Sequence, residues 1–219
     1  MNAARFMSPR PYSMERRQAA NDETRARILE AARQLLRSES KTDLSMEAIA
    51  RSADVSRLTI YYQFSSRAGL LEALYDHLAT RGNMHRMAEV FQEKNPSAAL
   101  NKMVRTFVGF WASDPAVIRR LRAMAALDPE VAQGIHARDA RRPHIALEIL
   151  RRTVRGKTKQ LSLKQRVAAD VLGMLTSFEA YDALSVCGHS EEQIVSTLTR
   201  LAHCACDQLI GTRSRPTNS

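Results

Sequence analysis

Ser45 and Ser56 stand eleven positions apart, and each carries the same signature of a helix start. Serine is a strong N-cap because its hydroxyl accepts from backbone N–H groups that have no partner inside the helix. Leu44 before Ser45 pairs with Ile49, and Val55 before Ser56 pairs with Ile60, as apolar staples that set the entry angle of each helix. This spacing predicts a short helix over 46–51, a tight turn over 52–55 and a second helix over 57–63, which is helix-turn-helix spacing. Asp54 falls where the turn needs a left-handed residue, and aspartate tolerates that conformation better than most non-glycines. A second helix so presented can lie in the major groove of DNA with its first residues at the base edges. Arg57, Leu58, Thr59 and Tyr62 are the groove candidates. Arg57 can bond guanine O6 and N7, Leu58 or Thr59 can touch a thymine methyl, and the Thr59 and Tyr61 hydroxyls can hold phosphates. Ser45, Ser56 and Arg67 sit at helix N-termini, where free N–H groups and the helix dipole favour anions. The competing roles are structural: Tyr61 and Phe64 also fit as core aromatics, and Leu58 as a packing residue.

The elements that must hold this pair in place are helical too. Ile28, Ala31, Ala32, Leu35 and Leu36 draw one apolar stripe on a first helix, with Asn21 or Asp22 as its expected cap. A further helix starts at Ser65 or Ser66 and buries Leu70, Leu71, Leu74, Tyr75 and Leu78. Residues 21–68 are therefore expected to form a helix-turn-helix DNA-binding domain. Residues 1–20, with Pro9, Pro11 and no periodicity, are expected to be a flexible basic arm whose Arg5, Arg10, Arg16 and Arg17 add salt-dependent phosphate contacts.

The stretch SMEAIARSADVSRLTIYYQFSSRAGLL, from Ser45 to Leu71, resembles the DNA-binding signature of the tetracycline-repressor (TetR) family. Val55, Ser56, Thr59, Tyr61, Tyr62, Phe64, Ser66, Arg67, Leu70 and Leu71 match it in type and spacing, as do Ile49 and Ala50. Asp54, Leu58, Gln63 and Ala68 depart from it, and Leu58 puts a bulky apolar side chain near the groove-facing start of the helix. The resemblance implies an all-α chain: a three-helix DNA-binding domain followed by a larger helical domain that encloses a small-molecule effector and pairs into a homodimer on palindromic double-stranded DNA. It further implies a repressor released from its operator by that effector, without catalytic activity.

Residues 69–211 supply the material for such a domain, ahead of a polar tail at 212–219. Asn95-Pro96, Asp114-Pro115 and Asp128-Pro129 each place proline at a first helical position behind a capping residue, and Pro143 kinks or divides the third of these helices. Arg155 to Ser162 reads as an exposed loop. Two capping boxes, Ser162 with Gln165 and Ser190 with Gln193, then open helices over 163–184 and 191–210, expected to form a hairpin that offers a face to a second copy. Met103, Phe107, Phe110, Trp111, Met124, Met174, Phe178 and Tyr181 suit an adaptable apolar ligand cavity, and each also suits plain core. Glu179, Tyr181 and Asp182 fit as ligand-orienting groups, as dimer contacts or as a solvated face.

Composition bounds the alternatives. The 219 residues carry a net charge of +10, yet residues 1–20 hold four Arg against Glu15, and 21–80 hold eight basic against nine acidic residues. Residues 119–166 hold thirteen basic against four acidic, so the global charge does not mark the DNA-reading segment; that stretch is expected to be a solvated face or an anion site. No apolar run approaches the roughly 20 residues a membrane span needs, and no secretory h-region follows the first residues, so a cytoplasmic chain with no membrane contact is expected. Cys187, Cys204 and Cys206, with His189 and His203, lack the spacing of zinc sites, and no metal or cofactor is expected. An architectural DNA-binding protein without an effector, or an all-α carrier or enzyme with a vestigial DNA-binding module, are the competing classes.

Overall fold

The computed structural model describes residues 10–38, 44–152 and 162–211. Among them the regular elements are all helical: α1 (Arg10–Arg37), α2 (Met46–Ser52), α3 (Arg57–Phe64), α4 (Arg67–Arg81), α5 (Met87–Gln92), α6 (Pro96–Ser113), α7 (Pro115–Ala125), α8 (Pro129–Asp139), α9 (Arg141–Arg151), α10 (Leu163–Leu175), α11 (Phe178–Val186) and α12 (Glu191–Ile210), with a 3-10 turn at Met84–Arg86. None of these helices is long and apolar enough to cross a membrane. The chain divides into two compact units after Leu74, so the division falls inside α4 and not at residue 68.

In the first unit, α2 packs on α1 and α3, and Ile28, Ala32 and Leu36 of α1, Ile49 of α2, Ile60 and Phe64 of α3, and Leu70 and Leu74 of α4 are all buried. α1 begins at Arg10, so the arm expected over 1–20 is helical from that residue onward, and Asn21 and Asp22 lie inside the helix without capping it. The run Met14 to Ala20 is rich in strong helix formers, and an existing helix extends through such residues without apolar contacts. Residues 1–9, including Arg5, and the tail 212–219 lie outside the described residues, as do 153–161, which take in all of the expected exposed loop except Ser162.

In the second unit, α6 runs through the middle of the core, with Leu100, Met103, Val104, Phe107, Val108 and Trp111 buried along one stripe. α12 packs on α6 and α10, α10 on α9, α7 on α8, and α5 on α6. The three Asn/Asp-Pro starts all open helices, and α8 gives way to α9 at Ala140, with Pro143 in the first turn of α9. The single helix expected over 163–184 is two. Thr176 Oγ1 donates back to the carbonyl of Leu172 at 2.8 Å, and the Ser177 hydroxyl accepts from Ala180 N at 3.2 Å. Hydroxyl side chains that bond to nearby backbone compete with the helical ladder, and a serine in the N-cap conformation starts a new helix.

Candidate nucleic-acid interface and internal cavity

α3 is fastened at both ends and bare along its outer face. At its start the Ser56 hydroxyl accepts from Thr59 N at 3.0 Å and lies 2.9 Å from Thr59 Oγ1, so the Thr59 hydroxyl is partly engaged by the cap. Ser45 does the same for α2, accepting from Ala48 N at 3.2 Å. Arg57 forms an ion pair with Glu47 of α2. At the other end Arg25 of α1 donates to the carbonyl of Gln63 at 2.7 Å and stacks its guanidinium 4.3 Å from the Phe64 ring centroid. The Gln63 side chain donates to Asn21 Oδ1. The turns are built for this: Asp54 takes φ 51° and Ser65 φ 63°, both left-handed. At Gly69 a Cβ would lie 2.1 Å from the Phe64 carbonyl oxygen, so the close approach of α4 to the end of α3 requires glycine.

What remains outward is the set of side chains suited to a groove. Leu58 and Tyr62 are 78% and 82% exposed, whereas Phe64 is buried. Large apolar side chains so displayed, one turn apart on a rigid helix, mark a contact surface more than core. Tyr61 is exposed, though less so than Leu58 and Tyr62, and faces Arg57, whose guanidinium sits 6.0 Å from the Tyr61 ring centroid. A hydrogen bond to the Tyr61 side chain, then the Glu47 carboxylate, hold Arg57 more firmly protonated than an ordinary arginine. Ser45, Ser56, Arg57, Leu58, Thr59, Tyr61 and Tyr62 thus lie together along α2 and α3; Arg67 begins α4 and is half-buried. Glu47, Arg25 and Asn21, which set the pose of α3, are visible only once α1 and α2 are placed beside it.

The second unit holds a cavity of about 180 Å³. Phe107, Phe110 and Trp111 of α6 line it as a set, with Phe110 and Trp111 ring centroids 4.5 Å apart. Other residues weighed for this role lie elsewhere. Met103 is fully buried among core side chains, and Phe178 and Tyr181 pack in the core, Phe178 edge-on to Trp111 at 5.6 Å. Met124 does not border the cavity, and Met174 is 61% exposed because α10 turns it away from α9 and α12. The rest of the lining is partly apolar, from Leu78, Met84, Ile118, Leu121 and Ile145, and partly charged. Arg122, Arg138, Asp139 and Arg142 come from the basic stretch expected to be a solvated face or an anion site. They point inward because helices α7, α8 and α9 supply each with partners. Arg122 pairs with Asp139 and Glu179, Arg142 with Asp139 and the Gly173 carbonyl, and Arg138 with Asp76 while stacking 4.5 Å from the Tyr75 ring centroid. Glu179 and Asp182, weighed as ligand-orienting groups, are held by Arg122 and Arg119, and the Asp182 bond raises Arg119 above its ordinary value.

The cysteines and histidines do not converge. Cys187 and Cys204 are exposed, Cys206 is buried, and burial pushes its thiol up to about 11. His203 shares a 2.6 Å hydrogen bond with Asn101.

Residues 28–74 match the family described as bacterial regulatory proteins, tetR family. The chain is 32% identical over 117 residues to the HTH-type transcriptional regulator AlkX of Mycobacterium tuberculosis, covering 52% of this chain and 53% of that protein. It is equally identical over 108 residues to the nucleoid occlusion factor SlmA of a Marinomonas species, covering 48% and 53%. The chain thus spans about half the length of the curated relatives it matches. A TetR-family regulator from a Rhodococcus species shares the fold, with a TM-score of 0.66 at 20% identity over 84% of this chain and 98% of that one. Two left-handed turns, two serine caps and a helix with an exposed outer face are the local features of the segment that matches the tetR family of bacterial regulatory proteins, and the match is confined to this helix-turn-helix unit.

Proposed function

We propose that this chain is a DNA-binding transcriptional regulator, a homodimer that represses from a palindromic operator and is released by a small molecule bound in the cavity of its second unit. The observation that carries the reading is the outer face of α3: Leu58 and Tyr62 stand clear of the protein beside a protonated Arg57, on a helix fixed at both ends. Such a helix can place a guanidinium and apolar groups against base edges while the N-termini of α2 and α4 hold phosphates. In the second unit, Leu163, Val167 and Met174 of α10 and Leu201 of α12 leave large apolar side chains in solvent, and a second copy of the same surface covers them in a two-fold dimer. Release follows if the effector binds better to a conformation whose two α3 helices are wrongly spaced for DNA, a coupling of about 1–3 kcal/mol being enough for control at one operator.

A DNA-binding role without an effector is the second reading, and the match to a nucleoid occlusion factor, at the same identity as that to AlkX, supports it. The cavity of about 180 Å³ with charged walls favours regulation. The test is a gel shift with DNA flanking the coding sequence at two salt concentrations, followed by a screen of small molecules for loss of the shifted band. A salt-sensitive shift relieved by some of them is expected. No shift at low salt contradicts DNA binding, and a shift that no ligand relieves favours the second reading.

A further inference from the structure

The cavity of the second unit is bordered by more positive than negative charge. Arg122, Arg138, Arg141 and Arg142 face it against the carboxylates of Asp76 and Asp139. Asp139 serves two of them: Arg122 donates to its two oxygens at 2.9 and 3.1 Å, and Arg142 donates to one at 2.6 Å. The Arg122 and Arg142 side chains retain only 18% and 9% of their exposure. A single carboxylate between two desolvated guanidinium groups leaves positive charge without a buried counter-charge, where the low dielectric makes that costly. Glu179 also reaches Arg122, at 2.6 Å, but from a side chain 64% exposed, where solvent screens it.

The aromatic wall excludes the opposite ligand charge. Arg122 and Arg142 lie 5.7 and 5.8 Å from the Trp111 ring centroid, so the ring on which a cationic ligand would stack already carries two cations. Size narrows the choice again. An engineered cavity of about 150 Å³ in another protein takes up benzene, so about 180 Å³ accommodates one ring and a small substituent.

Resting on the reading of this cavity as the effector site, we propose that the effector is a small aromatic carboxylate. Its ring packs on Phe107, Phe110 and Trp111, and its carboxylate is held by Arg122 and Arg142, which share Asp139 as their one buried counter-charge. Bidentate, charge-assisted bonds from planar guanidinium groups are the strong form of this recognition.

The experiment is calorimetric titration of the full chain with benzoate, benzamide and benzylamine, run beside its binding to the DNA flanking the coding sequence. Benzoate is expected to bind about ten- to hundredfold more tightly than benzamide, with benzylamine weakest. Arg122→Gln should bring the benzoate-to-benzamide ratio close to one while benzamide still binds. Ala79→Leu, which fills the cavity without touching its charges, should remove both. Benzamide or benzylamine binding as tightly as benzoate, or none of the three binding, overturns the assignment. If DNA binding persists in either case, the regulator reading stands without this effector class. If benzoate is preferred but no DNA is bound, the effector class stands and the regulator reading fails.

Discussion

Glu47 of α2 and Arg57, the first residue of α3, close an ion pair across the turn between their helices, so the cation at the start of α3 is already partnered in the free protein. Both side chains are about half exposed, and the pair contributes little to stability. Its effect is on recognition. Glu47→Gln removes a negative charge from the proposed DNA-facing surface and frees Arg57. It should raise affinity for any duplex severalfold at low salt, with the melting temperature unchanged, as read by fluorescence anisotropy and calorimetry. Unchanged affinity would mean that Arg57 does not reach the DNA.

Two glycines should respond to alanine with opposite signs. At Gly173 of α10 a Cβ would stand 2.7 Å from Pro143 Cγ and 3.0 Å from its Cδ, and a proline ring cannot swing aside. At Gly109 of α6 the nearest atom is Glu191 Oε1, at an ordinary 3.6 Å. Gly173→Ala should therefore cost about 1–3 kcal/mol by overpacking. Gly109→Ala should stabilise by about 0.5–1 kcal/mol, the helix-interior advantage of alanine. Urea midpoints at constant slope measure both.

The apolar residues left in solvent on α10 and α12 make the proposed dimer testable. Leu201→Glu, at 48% exposure in the single chain, should be tolerated by a monomer and rejected by a two-fold interface that buries it in both copies. Light scattering should give twice the chain mass for the natural protein and the single mass for the variant. A natural protein that is monomeric at tens of micromolar contradicts the proposal.

Cys206 carries a pH dependence with a definite sign. Burial raises its thiol from an ordinary 9.0 to about 11, so the folded protein holds the proton longer than the unfolded chain. The stability from the neutral thiol is fully present below about pH 9 and is lost as pH rises through about 11. In a Cys187→Ser, Cys204→Ser background, alkylation should show a midpoint near 11 in the folded protein and near 9 in urea. Equal midpoints would contradict the burial.

The parts of this molecule that were legible in its sequence are those set by neighbours along the chain. Ser45 and Ser56 cap where their staples indicate, Asp54 takes the left-handed conformation, and Asn95, Asp128, Ser162 and Ser190 start helices with side-chain caps in place. Each depends on a few consecutive residues. What was not legible depends on distant partners. Arg122 and Arg142 look like surface cations until α8 brings Asp139 to both, and Met174 looks like core until α10 turns it outward. The break at Thr176 and Ser177 was hidden for another reason: unbroken apolar periodicity says nothing about a hydroxyl bonding back to the ladder.

In the proposed regulator, α3, presented twice by a symmetric pair, reads DNA through Arg57 and its outward neighbours. The most direct measurement is selection of bound sequences from a random duplex pool by the full chain, followed by sequencing. The account predicts an inverted repeat whose half-sites are centred about one helical turn, roughly 34–36 Å, or a multiple of that apart. Arg57→Ala should erase preference at one symmetry-related position in each half, with a loss of about ten- to hundredfold on the selected site, whereas Arg67→Ala should weaken all sequences alike. Enrichment of no sequence, or of an asymmetric one indifferent to Arg57→Ala, would contradict it.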